Sequence, residues 1–169
     1  ISAAMLSDLI RLNLLIEYGG TWIDATILWT SDVIPNYMLD SELFLPKTTF
    51  EETFNTATQI NSYYITAHKN NKLLLMVREL LYEYWKKYDD IIEYLLIYDL
   101  FEIAIEMYPE EWSKVIPFPC AECTLLIDNL TKPYSPELYE ALTSRSPFQK
   151  LTWRFLPRKD GKNTVFDYI

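Results

Sequence analysis

The chain has 169 residues and a mass of 20.0 kDa, with 50% hydrophobic and 23% charged residues, a composition that excludes a disordered protein and allows a buried core. Fifteen basic against 24 acidic residues leave a net charge of −9, which excludes the broad basic face that nucleic-acid binding needs but not a local basic pocket around one diphosphate. No run of about 18 apolar residues occurs, so no membrane-spanning helix is expected.

The chain opens at Ile1 directly inside a helical pattern, so a preceding segment is expected. Residues 3–18 predict a helix that is apolar almost all round, through Met5, Leu6, Leu9, Ile10, Leu12, Leu14, Leu15 and Ile16, and therefore buried on most sides. Gly19-Gly20 ends it, since glycine takes the left-handed cap conformation without a steric penalty. Residues 21–28 alternate as a strand, with Trp22, Asp24, Thr26 and Leu28 on one face. Pro35 and Pro46 break residues 30–49 into turns around a short strand at 41–45, and the Thr, Tyr and Ile content of residues 55–66 predicts a further strand. Residues 72–88 form the clearest amphipathic helix, with Leu73, Met76, Val77, Leu80, Leu81, Tyr84 and Trp85 on one stripe.

Asp90-Ile91-Ile92-Glu93 has capping-box spacing and predicts a helix running to Met107. Pro109, Pro117 and Pro119 interrupt the next stretch, and Ser135-Pro136-Glu137 predicts a short helix with the serine as its cap. An Asp160-Gly161 turn between apolar stretches predicts a hairpin in the tail. With no repeat or linker, the expectation is one α/β domain over residues 1–169 with a helix-rich C-terminal half.

Asp8 and Arg11 sit three apart on the first helix and share a face. An exposed pair of that kind contributes only about 0.2–0.5 kcal/mol. A helix with hardly any polar side must instead bury both ions, at a cost that their attraction has to offset. The pair is then either structural or turned into a polar pocket, and the burial cost does not choose between the two. Asp24 and Thr26, two apart near a strand end, stand where open α/β sheets bind ligands. A carboxylate and a hydroxyl there suit a hydrated divalent cation or a sugar hydroxyl, or the Asp merely solvates a turn. Gly19 and Gly20 are two of only three glycines, which marks tight backbone that a ligand could approach closely.

Other candidates are blander. Cys120 and Cys123 form a lone Cys-x-x-Cys without two further zinc ligands and read as ordinary thiols rather than a redox pair. His68 is the single histidine and reads as a surface or capping residue, so no Ser/His/Asp relay can be assembled. Tyr82, Tyr84, Trp85 and Tyr88 follow helical spacing as packing residues, and Lys86-Lys87 and Glu110-Glu111 read as solvated charges.

Ser7-Asp8-Leu9-Ile10-Arg11, followed by Tyr18-Gly19-Gly20-Thr21-Trp22-Ile23-Asp24-Ala25-Thr26, resembles the sugar-nucleotide-binding core of glycosyltransferases with an Asp-x-Asp motif. It is similar to the capsular polysaccharide synthesis protein family, related to the Och1-like mannosyltransferases and the glucosylating toxins. The resemblance continues through Asn61-Ser62-Tyr63-Tyr64-Ile65, residues 80–87 and Ser146-Pro147-Phe148-Gln149-Lys150-Leu151-Thr152, and so covers nearly the whole chain. It implies a GT-A-type nucleotide-diphospho-sugar transferase fold, incomplete at the N-terminus. The chain would be the C-terminal portion of the catalytic domain, without the strand–helix segment that holds base and ribose.

The resemblance also implies roles. Asp24 and Arg11 would be catalytic, and Ser7, Asp8, Arg11, Gly19, Gly20, Asp24 and Thr26 would bind the donor. Asn61 and Gln149 would lie on the acceptor side, and Mn or Mg would be reached from Asp24 through water. Thr26 stands where related enzymes carry a second carboxylate that ligates the metal, although the capsular branch typically reads Asp-Ala-Thr as here, and a neutral hydroxyl is a much poorer partner for a hard cation. Gln149 stands where relatives often carry His, which also counts against the metal. The implied function is retaining transfer of a sugar from a nucleotide-diphosphate donor to a saccharide acceptor in capsular or cell-surface polysaccharide synthesis. It would run in the cytoplasm, at most peripherally on the inner membrane face. A second reading is a non-catalytic remnant or interaction module of the same fold. A third, a phosphate-processing enzyme with Asp24 as nucleophile, lacks further acidic ligands and a phosphate cradle.

Overall fold

Helix α1 (Ala3–Tyr18) ends as its sequence dictates. Gly19 and Gly20 take φ of 70° and 95°, values that favour glycine, and the Gly19 N–H closes the last turn on the Leu15 carbonyl at 2.9 Å. A Cβ on Gly19 would stand 3.1 Å from the Ala67 carbonyl oxygen, so that position is closed by packing as well as by φ. The expectation of all-round burial is corrected. Leu12, Leu15 and Ile16 are buried, but Leu6, Ile10 and Leu14 are 51%, 43% and 45% exposed. Composition reports that a helix is apolar; it does not report how many neighbours it has.

The computed structural model describes residues 3–48, 60–152, 154 and 163–169; the expected Asp160-Gly161 hairpin and residues 55–59 of the expected strand lie outside them. The fold is mixed α/β with small sheets. The chain divides into two compact units, one of Ile1–Trp22 and Pro35–Phe118, the other of Ile23–Ile34 and Pro119–Ile169. No helix among the described residues is long and apolar enough to cross a membrane.

The expected strand over 21–28 is two strands, β1 (Gly20–Ile23) and β2 (Ile27–Trp29). Between them the Ile27 N–H donates to the Asp24 carbonyl at 3.1 Å, closing a turn. Asp24 and Thr26 therefore do not share a strand face. The alternating pattern ran straight across this turn, which contains neither Gly nor Pro, although Asp is a good residue to open one.

In the first unit, α2 (Asn36–Leu39) is followed by β3 (Leu43–Phe44) and β4 (Tyr64–Ala67). The sheet order is β1-β4-β3, with Leu43 opposite Ala67 and Phe44 opposite Thr66 in the antiparallel β3–β4 pair. All four β4 residues are buried, as a central strand requires. Helix α3 (Lys72–Lys87) starts where the Asn71 side chain accepts the Leu74 N–H at 3.2 Å, the usual N-cap arrangement. It buries Leu73, Leu74, Val77 and Leu81, close to the expected stripe.

Helix α4 (Leu96–Met107) begins later than the capping-box spacing at 90–93 predicts. The Tyr84 hydroxyl donates to the Asp90 carbonyl at 2.6 Å and accepts from the Ile92 N–H at 3.1 Å, so a tertiary contact takes the backbone groups that a helix would have used. Helix α5 (Pro109–Ser113) completes this unit. Leu12, Leu15, Ile65, Val77, Leu81, Phe101 and Ala104 belong to its core.

In the second unit a 3₁₀ turn at Cys120–Cys123 leads into α6 (Leu125–Asn129) and α7 (Pro136–Thr143). The Ser135 hydroxyl accepts the Leu138 N–H at 3.1 Å, so the predicted cap of α7 is present. β5 (Phe148–Lys150) pairs antiparallel with β2, with Ile27 opposite Lys150, Leu28 opposite Gln149 and Trp29 opposite Phe148. Helix α8 (Val165–Tyr168) packs its buried Val165 with Leu126, Leu130 and Leu142 to form the core here.

Candidate functional site

The site residues named from the sequence fall into two groups, one in each unit. In the first unit, α1 presents Asp8 and Arg11 one turn apart, with Nη1 of Arg11 3.4 Å from Oδ1 of Asp8. Arg11 is only 6% exposed, and a guanidinium so buried needs partners. Its Nη1 donates to the Ser62 carbonyl at 2.9 Å, and its guanidinium carbon lies 5.2 Å from the centre of the Trp22 ring. These contacts tie α1 to the chain entering β4 and to β1, so Arg11 has a structural role. Asp8 keeps 19% of its side chain exposed and is the member of the pair that a ligand can reach. Ser7 is half-buried on the same helix.

The two glycines differ. Gly19 is crowded by its own chain, at Ala67 and Lys69, whereas nothing lies within 4 Å of the place a Cβ on Gly20 would occupy. The close approach at Gly19 is therefore internal, and Gly20 faces open space. Asn61 is half-buried; its Nδ2 donates to the Thr48 hydroxyl at 3.3 Å and its N–H to the Pro46 carbonyl at 2.9 Å.

In the second unit the β2–β5 ladder does the positioning. The Leu151 N–H donates to the Thr26 carbonyl at 2.8 Å, one residue beyond the Ile27–Lys150 pair. The Lys150 side chain reaches the turn at 24–27, donates to the Thr26 hydroxyl and stands 3.5 Å from Oδ2 of Asp24. Lys150 and Asp24 are 24% and 27% exposed, so both charges are accessible. Gln149, next in the strand, points the other way and is fully buried. Its Oε1 accepts the Leu126 N–H at 3.1 Å and its Nε2 donates to the Glu122 carbonyl at 2.8 Å. That amide fastens the 3₁₀ turn and the start of α6 to β5.

Sequence reasoning missed Lys150. Its signal was the alternation of Phe148-Gln149-Lys150, but the partner strand lies far away along the chain, and no local pattern shows which turn it meets. The donor set around Asp24 does not fit a protein-held Mn or Mg ion. Among the described residues no three His, Cys, Asp or Glu side chains are grouped to hold a metal. A divalent ion on Asp24 would also share that carboxylate with the Lys150 ammonium, 3.5 Å from Oδ2, and two cations so close repel.

The remaining candidates are structural or peripheral. Cys120 is half-buried, and Sγ of buried Cys123 lies 3.7 Å from the Ser146 hydroxyl. His68 stands on the surface, its Nε2 3.3 Å from Asp40. A cavity of about 190 Å³ in the first unit is lined by Ser41, Glu42, Asn71, Glu111, Lys114 and Ile116, among others. Hydrogen bonds from Lys114 at 2.7 Å and Lys72 at 2.8 Å hold the Glu111 carboxyl down at about 2. None of the residues named from the resemblance lines it.

A family model described as capsular polysaccharide synthesis protein matches residues 1–169, the whole chain. No curated protein matches it.

Proposed function

The chain belongs to the capsular polysaccharide synthesis protein family, and from that premise we propose that it is a glycosyltransferase of GT-A type. It moves a sugar from a nucleotide-diphosphate donor to a hydroxyl of a saccharide acceptor. The family's description points to capsular polysaccharide synthesis; the transfer chemistry is the finer reading. The observation that carries it is Asp24, an accessible carboxylate fixed on the turn that comes after β1; the sequence resemblance sets it against the first Asp of an Asp-x-Asp motif and Thr26 against the second.

In this reading the C1–O bond to the diphosphate breaks and its electron pair leaves on the phosphate oxygen. The acceptor oxygen forms the new bond to C1, and its proton passes to the departing diphosphate. Asp24 accepts a hydrogen bond from a sugar or ribose hydroxyl, which orients the donor. Gly20 leaves room for close approach of a ligand.

The test is transfer by the full chain from UDP- and GDP-sugars, comparing the parent with Asp24→Ala. Loss of a hydrogen bond to a charged group costs about 1.5–3 kcal/mol, so kcat/KM is expected to fall about tenfold to a hundredfold. Undiminished transfer by a folded Asp24→Ala protein refutes the assignment. A second reading, a non-catalytic interaction module, is favoured by the way Ser62, Asp8 and Trp22 already engage Arg11. Titration decides between the two, since a module shows no heat with any donor.

A further inference from the structure

We propose that the cation facing the donor diphosphate is the ammonium of Lys150, acting with the Thr26 hydroxyl, and that donor binding requires no divalent metal. The proposal rests on the transferase reading above and narrows it to the contact that recognises the diphosphate.

Three observations support it. Lys150 donates to the Thr26 hydroxyl oxygen, so that hydroxyl keeps its own proton to donate onward. An ammonium and a hydroxyl side by side present donors, which suits phosphate oxygens; two carboxylates present acceptors, which suits a cation. Thr26 and Lys150 together therefore make this turn a donor site, suited to take a phosphate directly rather than to collect a metal. Asp24 stands 3.5 Å from the ammonium, and each side chain keeps about a quarter of its surface exposed. Finally, a pair this accessible adds little to folding, so stability alone does not account for an ammonium held here by backbone register.

During transfer the negative charge on the diphosphate grows as its bond to C1 breaks. The fixed ammonium stabilises that charge. The acceptor's proton goes to the phosphate oxygen, so Lys150 stays protonated from start to finish and the enzyme neither gains nor loses a proton.

The experiment is calorimetric titration of the full chain with UDP-glucose, GDP-mannose, UDP and GDP, once in EDTA and once in MnCl2, together with transfer assays under both conditions. The expected result is binding in EDTA within about twofold of binding in MnCl2. Lys150→Met should weaken binding about tenfold to a hundredfold, the loss of one charge-assisted hydrogen bond, while Lys150→Arg, which keeps the charge, stays within about fivefold of the parent. If EDTA abolishes binding and MnCl2 restores it, the proposal is overturned and the transferase reading stands. Parent-like binding by Lys150→Met also overturns it. If none of the four compounds binds in either buffer, the transferase reading falls and the proposal falls with it. Should Lys150→Met fail to fold, the chelator comparison on the parent protein decides by itself.

Discussion

Replacing Arg11 with Met tests whether the Asp8–Arg11 pair holds the first unit together. The charges are 3.4 Å apart, which at an effective dielectric of about 20 corresponds to a gross attraction of about 5 kcal/mol. Solvent takes back part of that, because Asp8 is 19% exposed. Breaking a buried pair costs about 3–5 kcal/mol when one charge is left alone, and a partly open carboxylate belongs near the bottom of that range. Losing the donor to the Ser62 carbonyl adds about 1 kcal/mol. The expected loss for Arg11→Met is about 4 kcal/mol, a shift of about 2 M in the urea midpoint for a slope of about 2 kcal/mol/M.

Asp8→Asn should cost less, about 1–2 kcal/mol, since Arg11 keeps Ser62 and Trp22. The double variant should fall short of the sum by about 1–2 kcal/mol. Urea unfolding followed by far-ultraviolet circular dichroism measures all four proteins. An Arg11→Met protein within about 0.5 kcal/mol of the parent, or strictly additive single effects, would refute the structural role and leave the pair as a ligand contact.

Gln149→Leu keeps the side-chain volume but strands the Leu126 N–H and the Glu122 carbonyl in a buried place; a loss of about 3 kcal/mol is expected by urea unfolding, and a neutral outcome contradicts the clamp. Gly19→Ala forces a side chain into φ 70° against the Ala67 carbonyl, so about 2 kcal/mol of destabilisation is expected, read as a Tm lower by about 5 °C; an unchanged Tm contradicts it. Glu111 has its folded pKa depressed from 4.5 to about 2 by Lys114 and Lys72, so its contribution is present above 4.5 and is lost as the pH falls toward 2. Urea midpoints of the parent and Glu111→Gln should differ at neutral pH and converge across that acidic window, and a constant gap contradicts the linkage.

Much of the helical framework was legible because its determinants are local. Periodic apolar positions with a glycine stop mark α1, Leu73, Val77 and Leu81 mark α3, and Ser135-Pro136 marks the start of α7. The illegible remainder depends on contacts that no periodic pattern or capping spacing encodes. Tyr84 takes the carbonyl of Asp90 and the N–H of Ile92, which no capping signature can reveal. The turn at 24–27 interrupts an alternation that looks continuous. For the site, Asp8, Arg11, Asp24 and Thr26 were readable as chemistry-bearing types in a suggestive order. Lys150 was not, because its place beside Asp24 comes from the β2–β5 register and from nothing near it in sequence.

The interleaving of the two units limits how the protein can be taken apart. The first unit has all its residues once Phe118 has left the ribosome, whereas residues 23–34 must wait for those after Pro119. Joining β2 to β5 closes a loop on the order of 120 residues, for which each doubling of length adds about 0.6 kcal/mol of closure entropy. A gene cut after Phe118 would yield a C-terminal fragment with β5 but no β2, an open strand edge prone to self-association. Supplying the missing strand as a separate peptide is the route to a working split version, and a fusion tag is better attached at a terminus than inserted between the halves.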